Sequence, residues 1–498
     1  MYIEILQGRG ILMELKIGRS DWIFLLLCMV LGIVAEEAFF RAEIGISYLV
    51  FIVSFYGLFF FRYRRVSSSH QRFGYLVLIC IWLLAASYFI NDNMYFYALN
   101  IIAIPILVFF HLVLITSQKS IRWNKPAFIP YLFSKLGGAI KYNFVFVSLL
   151  GKVFKQGVDE SKFQVWKKVA IGILISIPVL MVVLLLLMSA DTQFERMVGG
   201  IPQWFQVIDA EVVVRIVVVL FYTFAFFGLM QVLMKKQINV MNQNDNQLTF
   251  KMDGVITITV LVLINAVYVL FTIVQFKYFF SGSLQGDFTY AEYARKGFFE
   301  LLFVTLINLS ITVLVLTFVK STIGFIKRSI QVLLTTLVLS SAVLLSSAFM
   351  RLSMYEDAYG FTFIRVMAHS FMIFLVVIFM YTLIKIWIEK LSLFHFYFIS
   401  ALLYYTVMNV INVEQIIVTK NIERYEQSGK VDLHYLNSLT HTGILGLIEL
   451  YERNPQLPGL KNVLLERKNE ANLSNNSWQS YNLKRVQANK ELRKLHLE

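Results

Sequence analysis

The sequence predicts an all-α fold, a polytopic transmembrane helical bundle of about eleven spans followed by a small helical C-terminal tail. Three observations carry that expectation. Of 498 residues, 58% are hydrophobic and 15% charged. A soluble domain holds about 45–50% apolar and 25% charged residues, so the bilayer must solvate much of this surface. The apolar stretches run about 17–25 residues, the length a helix needs to cross the hydrocarbon core. They lack the period-two alternation of barrel strands, and backbone polar groups in lipid leave only helices or closed barrels.

In chain order, spans are expected near residues 22–38, 42–61, 74–90, 95–116, 169–189, 211–234, 254–276, 298–319, 330–350, 363–387 and 392–412. The first is short and ends at Glu36 and Glu37; no cleavage pattern follows it, so it reads as a retained span. Between the fourth and fifth lies the longest loop, 117–168. Its stretch Tyr142–Phe154 is apolar but too short to cross, and Lys135, Lys141, Lys152 and Lys155 flank it. That predicts an amphipathic helix on the inner surface, with a re-entrant segment as the alternative. The tail, 413–498, reads as helices around Asn421–Tyr425, Val431–Leu436 and Gly443–Tyr451, with a break at Gly429 and a stop at Asn454-Pro455. Beyond residue 460 it is charged and Asn-rich with thinly spaced leucines, and is expected to be partly flexible.

Orientation follows from the basic residues. With the N-terminal segment 1–21 in the cytoplasm, the inner segments carry 25 lysines and arginines, and the outer loops, tail aside, carry 7. The positive-inside rule then puts the tail outside the cytoplasm. The net charge of +14 is thereby a topology signal and an attraction to membrane lipids, and no nucleic-acid partner is expected.

Chemistry-bearing motifs are sparse. Cys28 and Cys80 both fall inside spans, so neither a disulfide framework nor a zinc site is expected. His111, His369 and His395 stand singly in the sequence, which predicts no metal site. There is no P-loop, dinucleotide fingerprint or nucleophile elbow, so no cofactor is expected and no catalytic residue is assigned; ATP-driven transport would need a separate subunit.

The informative stretches lie at the predicted outer face. Asp191, in Ser189–Phe194, is placed to cap a short helix. In the stretch 288–301, Thr289 and Glu292 form a capping box, Glu292 pairs with Arg295 or Lys296, and the helix is expected to run straight into the eighth span. Glu300 sits at that span's edge, where a carboxylate needs a partner; Arg351 and Arg365 are the first choices, and a place in a site is the other reading. The third stretch crowds Arg351, Tyr355, Glu356, Asp357, Tyr359, Gly360 and Arg365 into what reads as one short loop. It is either a salt-bridged lid, expected to meet 289–300, or an outer pocket. Within spans, Glu211 and Arg215 stand four residues apart and can neutralise each other, while Asn265, Gln275 and Asn308 suit interhelical hydrogen bonding.

These stretches carry a resemblance. The runs SADxxF (Ser189–Phe194), TYAEYARKGFFEL (Thr289–Leu301) and RLxxYxxAYGxTxxR (Arg351–Arg365) resemble a bacterial family of multi-pass membrane proteins known only as a domain of unknown function. So do the tail patterns NIERY (Asn421–Tyr425) and DLHYL (Asp432–Leu436), and Phe39–Phe51. The likeness covers roughly residues 20–450. It implies a helical membrane architecture and a bacterial inner-membrane location, but no activity.

The leading expectation is a non-enzymatic signalling partner or scaffold of the envelope, with membrane lipids and a membrane or envelope protein as partners. The alternative is a permease or lipid-handling transporter, needing a polar cavity lined by Glu300, Asn308, Arg215 and Asn265. A membrane-embedded transferase with an outer-face acidic site comes third; Glu36 and Glu37 resemble the acidic outer loop of polyprenyl-linked glycosyltransferases.

Overall fold

A computed structural model describes residues 19–63, 70–119, 121–125, 128–154, 210–234, 252–281, 297–319, 324–473 and 477–496, with scattered positions between 165 and 187. Among these residues the chain forms helices and no strand, apart from one isolated bridge between Met252 and Val319. The first six are α1 (Arg19–Phe39), α2 (Ile46–Tyr63), α3 (Gln71–Ile90), α4 (Met94–Thr116), α5 (Phe128–Phe154) and α6 (Ala210–Met234). Then come α7 (Gly254–Ser281), α8 (Phe298–Phe318), α9 (Phe325–Tyr359), α10 (Phe363–Trp387) and α11 (Leu393–Val410). The tail holds α12 (Val413–Ser428), α13 (Leu433–Ser438), α14 (His441–Arg453), α15 (Leu460–Leu473) and α16 (Leu483–Lys494). Ten of these helices are long and apolar enough to cross a membrane, so the chain is a multi-pass integral membrane protein. They coincide with ten of the expected spans; most of the eleventh, 169–189, lies outside the described residues. The chain divides into two compact units, Met1–Gln71 with Phe110–Gln237, and Arg72–Phe109 with Ile238–Glu498.

In the first unit α6 packs along both α1 and α5. A Cβ on Gly32 would stand 2.7 Å from the Val219 carbonyl oxygen, so glycine is what lets the α1 and α6 backbones approach. Phe227 is ringed by Phe24, Tyr142 and Phe146, with centroids 5.9, 5.9 and 4.8 Å away. Charges mark the two ends. At one, Asp21 Oδ1 accepts from Arg62 at 3.0 Å and from Gln231 at 2.9 Å. At the other, Arg215 reaches both Glu211 and Glu36, and Arg41 pairs with Glu37 at 2.7 Å.

α5 departs from the short surface helix expected over Tyr142–Phe154. It starts at Phe128, runs 27 residues, and lies antiparallel to α6. Gly138 faces Val232, and further along Asn143 Nδ2 donates to the Phe224 carbonyl at 2.9 Å. Phe224 is mid-span in α6, so α5 lies alongside a transmembrane helix over this stretch. The apolar period continues upstream through Ile129, Phe133, Leu136 and Ile140, which is why the helix is longer than the most apolar stretch suggests.

In the second unit polar side chains join the spans. Asn265 Nδ2 donates across to the Leu333 carbonyl at 3.0 Å, Asn308 Nδ2 to Ser341 Oγ at 2.9 Å, and Gln331 Nε2 to the Ile386 carbonyl at 2.9 Å. Buried Asn100 links α4 to α11: it donates to Asn409 at 2.7 Å and accepts from Tyr405 at 2.6 Å. α9 is 35 residues long, about 52 Å at 1.5 Å per residue, against about 30 Å of hydrocarbon. It absorbs Arg351–Tyr359, so the stretch expected as a loop between spans is helix. Only Gly360–Thr362 turns the chain into α10.

The tail helices pack around Leu447, Leu450, Leu460, Leu464 and Ala488, all fully buried, in a core that also takes in Phe96, Phe363 and Met408 from the spans. Asn412 accepts from the Gln415 amide and starts α12, and Gly429, with φ +67, ends it. The residues after 460, expected to be partly flexible, fold into α15 and α16. Their apolar content is thin, but Leu460, Leu464, Ala471, Ala488 and Leu492 are all buried, so few apolar residues suffice.

Candidate functional site

Part of the predicted cluster, Arg351, Tyr355, Glu356, Asp357, Tyr359, Gly360 and Arg365, lies at the end of the second unit where the tail attaches. Helical spacing on α9 sets Arg351, Tyr355 and Tyr359 along one side, and Gly360 (φ +83) reverses the chain. Arg365, from the first turn of α10, lies with its guanidinium 4.1 Å over the Tyr355 ring and donates to the Gly360 carbonyl. Glu356 is buried, with Oε2 3.0 Å from Nδ1 of His369. His369, isolated in sequence, thus has a carboxylate partner on a neighbouring helix. Asp357 and Tyr359 are exposed.

Arg351 is buried against Gly297; a Cβ there would meet its Nη1 at 2.6 Å. Gly297 itself has φ +92, so α8 begins at a left-handed residue; the stretch 289–296, expected to run straight into it, lies outside the described residues. Glu292 and Arg295 lie outside the described residues. Glu300 is exposed, and among the described residues it forms no ion pair, so the expected pairing with Arg351 or Arg365 is corrected. Depth alone suggested that pairing; Arg351 turns to Gly297 and Arg365 to its own turn.

Tail residues complete the cluster. Asn421 grips Phe361 by both backbone groups, accepting its N–H at 3.0 Å and donating to its carbonyl at 2.8 Å. Arg424 donates to the Asp357 and Ala358 carbonyls at 3.2 and 2.8 Å, a cation on the C-terminus of α9. The Phe363 N–H donates to Tyr435 Oη at 2.7 Å. The NIERY and DLHYL patterns thus clamp the AYGxT turn. Both runs stood out in the sequence, but nothing in it paired them.

A second junction was missed. Glu414, at the start of α12, is buried; Oε1 accepts from Asn93 at 2.9 Å and Oε2 lies 2.7 Å from Thr440 Oγ1. Thr440 also donates to the Asp92 carbonyl, and the Asp92 carboxylate meets the His441 ring. Burial pushes the Glu414 carboxyl up to about 7, with Asp92 adding to the rise against the opposing Thr440 and Asn93 bonds. Nearby, buried Asn482 donates to the Tyr88 and Asn91 carbonyls at 2.9 and 2.8 Å, securing α16 to the end of α3. These residues are scattered from 88 to 482, which hid them.

Of the intramembrane candidates, Asn265 and Asn308 bridge helices and Arg215 sits between Glu211 and Glu36. No group of three or more potential metal ligands occurs among the described residues. A family model described as Domain of unknown function (DUF4153) matches residues 78–450. No curated protein and no solved structure matches.

Proposed function

Since the chain belongs to the DUF4153 family, a domain of unknown function, we propose that it is a non-enzymatic scaffold or signalling partner of the bacterial envelope. In this reading it resides in the inner membrane with its N-terminus in the cytoplasm and its tail outside, presented to an envelope protein. The supporting observation is the tail clamp: Asn421, Arg424, Tyr435, Glu414, Thr440, His441 and Asn482 hold a folded helical domain against the ends of several spans. Two charged side chains of the candidate cluster, Glu356 and Arg365, tie α9 to α10 beside that junction, which suits coupling between tail and bundle. The basic asymmetry of the segments between spans supports the orientation.

Two experiments test it. Single cysteines at Glu452 in the tail and Lys390 in the α10–α11 turn, in a chain lacking Cys28 and Cys80, should react differently with an impermeant thiol reagent in intact cells. Glu452→Cys is expected to label and Lys390→Cys to stay protected; equal labelling overturns the orientation. Photo-crosslinkers on the exposed tail surface are expected to trap one envelope protein in cells. Recovery of the chain alone would overturn the scaffold reading.

A further inference from the structure

Segment 478–486 joins a polar tail to the last turn of a transmembrane helix, and it gathers four exposed large hydrophobic side chains within nine residues. Asn482 is buried and bonded to the carbonyls of Tyr88, in the last turn of span α3, and Asn91, just beyond it. The Tyr481 ring stacks on Phe89 with centroids 5.9 Å apart and planes 19° apart. These contacts fix the segment's depth at the boundary of the hydrocarbon. At that depth, Trp478 is 48% exposed, Tyr481 43%, Leu483 43% and Val486 39%. Lys484 and Arg485 lie between them, and α16 continues with Lys490, Arg493 and Lys494 against a single acidic residue, Glu491.

We propose that segment 478–486 is an interfacial anchor, seated in the leaflet that meets the α3–α4 turn and selecting anionic phospholipid head groups. Tryptophan and tyrosine concentrate at the membrane interface, where the ring contacts acyl chain and the polar edge meets water. Leu483 and Val486 enter the same layer, while basic side chains bury their stems and reach head-group phosphates. A water-facing reading leaves four large apolar side chains exposed beside the end of a span. The lipid reading covers them with the solvent already there, and the basic charge gives the anionic preference. The anchor holds the tail flat against the membrane through lipid as well as through the protein clamp.

The test uses the full chain, lacking Cys28 and Cys80, in vesicles of phosphatidylcholine with and without phosphatidylglycerol. Nitroxides are attached at Trp478→Cys, Leu483→Cys and Val486→Cys, with Ile79→Cys in mid-span α3 as the hydrocarbon reference. Each labelled chain is first checked for a protease-resistant tail, and three positions allow for one label that disturbs folding. Collisions with oxygen and with a water-soluble nickel chelate report depth. The expected result is oxygen-favoured, chelate-protected labels that move deeper when phosphatidylglycerol is present, with the shift lost in the Lys484→Gln, Arg485→Gln double variant. Chelate access like that of a free label in water overturns the anchor. Equal immersion in both vesicle types overturns the anionic selection.

Discussion

Replacing Glu414 by glutamine is expected to stabilise the tail clamp at alkaline pH and leave it unchanged at acid pH. The argument begins with one hydroxyl proton. Thr440 Oγ1 contacts both the Asp92 carbonyl, which can only accept, and Glu414 Oε2. A hydroxyl donates one proton, so if it goes to the carbonyl, the Glu414 contact needs a proton on the carboxyl. Protonated, Glu414 accepts from Asn93 and donates to Thr440, and every group is satisfied. Burial raises the titration and outweighs Thr440 and Asn93, which as donors would favour the carboxylate, and the protonated carboxyl leaves the Thr440 proton to the Asp92 carbonyl. A carboxyl displaced from 4.5 to about 7 corresponds to about 3 kcal/mol. The folded value lies above the unfolded one, so this stability is fully present below pH 4.5 and is lost as pH rises through about 7. Asp92, paired with His441, and Tyr435 also face this pocket, which is why the variant is the control. The amide side chain in the Glu414→Gln chain keeps an acceptor for Asn93 and a donor for Thr440 at every pH. Hydrogen exchange across 413–496 in the purified full chain reads the result. Wild-type protection should fall roughly a hundredfold between pH 4.5 and 8 at clamp amides, and the variant's fall should be small. Identical profiles, or wild-type protection that rises with pH, would refute the reasoning.

Arg424→Ala removes two donors from the last carbonyls of α9 and should cost about 1–2 kcal/mol, read as faster proteolytic release of the tail; an unchanged rate would refute the clamp. Gly446→Ala places a methyl against Val418, which touches the Gly446 backbone, and should cost about 1–3 kcal/mol in thermal unfolding. Glu300→Gln changes an exposed residue with no ion pair among the described residues and should stay within about 0.5 kcal/mol of wild type. A large loss of stability would mean that the carboxylate has a structural partner.

Most of the membrane architecture was legible because span length and apolar composition are set by the bilayer, a solvent whose thickness is known in advance. What escaped were boundaries set by tertiary contact. α9 runs on through Arg351–Tyr359 where Arg424 satisfies the carbonyls at its end, and the upstream part of α5 packs along α6, where Gly138 faces Val232. The cluster around Gly360 was visible as a motif, yet its partners Asn421, Arg424 and Tyr435 lie 60 or more residues away. The Glu414 junction had no local signal, since Asp92, Asn93, Glu414, Thr440 and His441 are ordinary surface residues until the fold brings them together.

The 35-residue length of α9 has a mechanical consequence. A rigid rod of about 52 Å that tilts by about 5° about its centre swings its ends by about 2 Å, a displacement comparable to the 1.5 Å rise per residue. Tyr359 lies at one tip, beside the carbonyls gripped by Arg424. A pull on the tail therefore becomes torque on a helix that packs against α7, α8 and α10, and a change in their packing is felt, with the same leverage, by the tail.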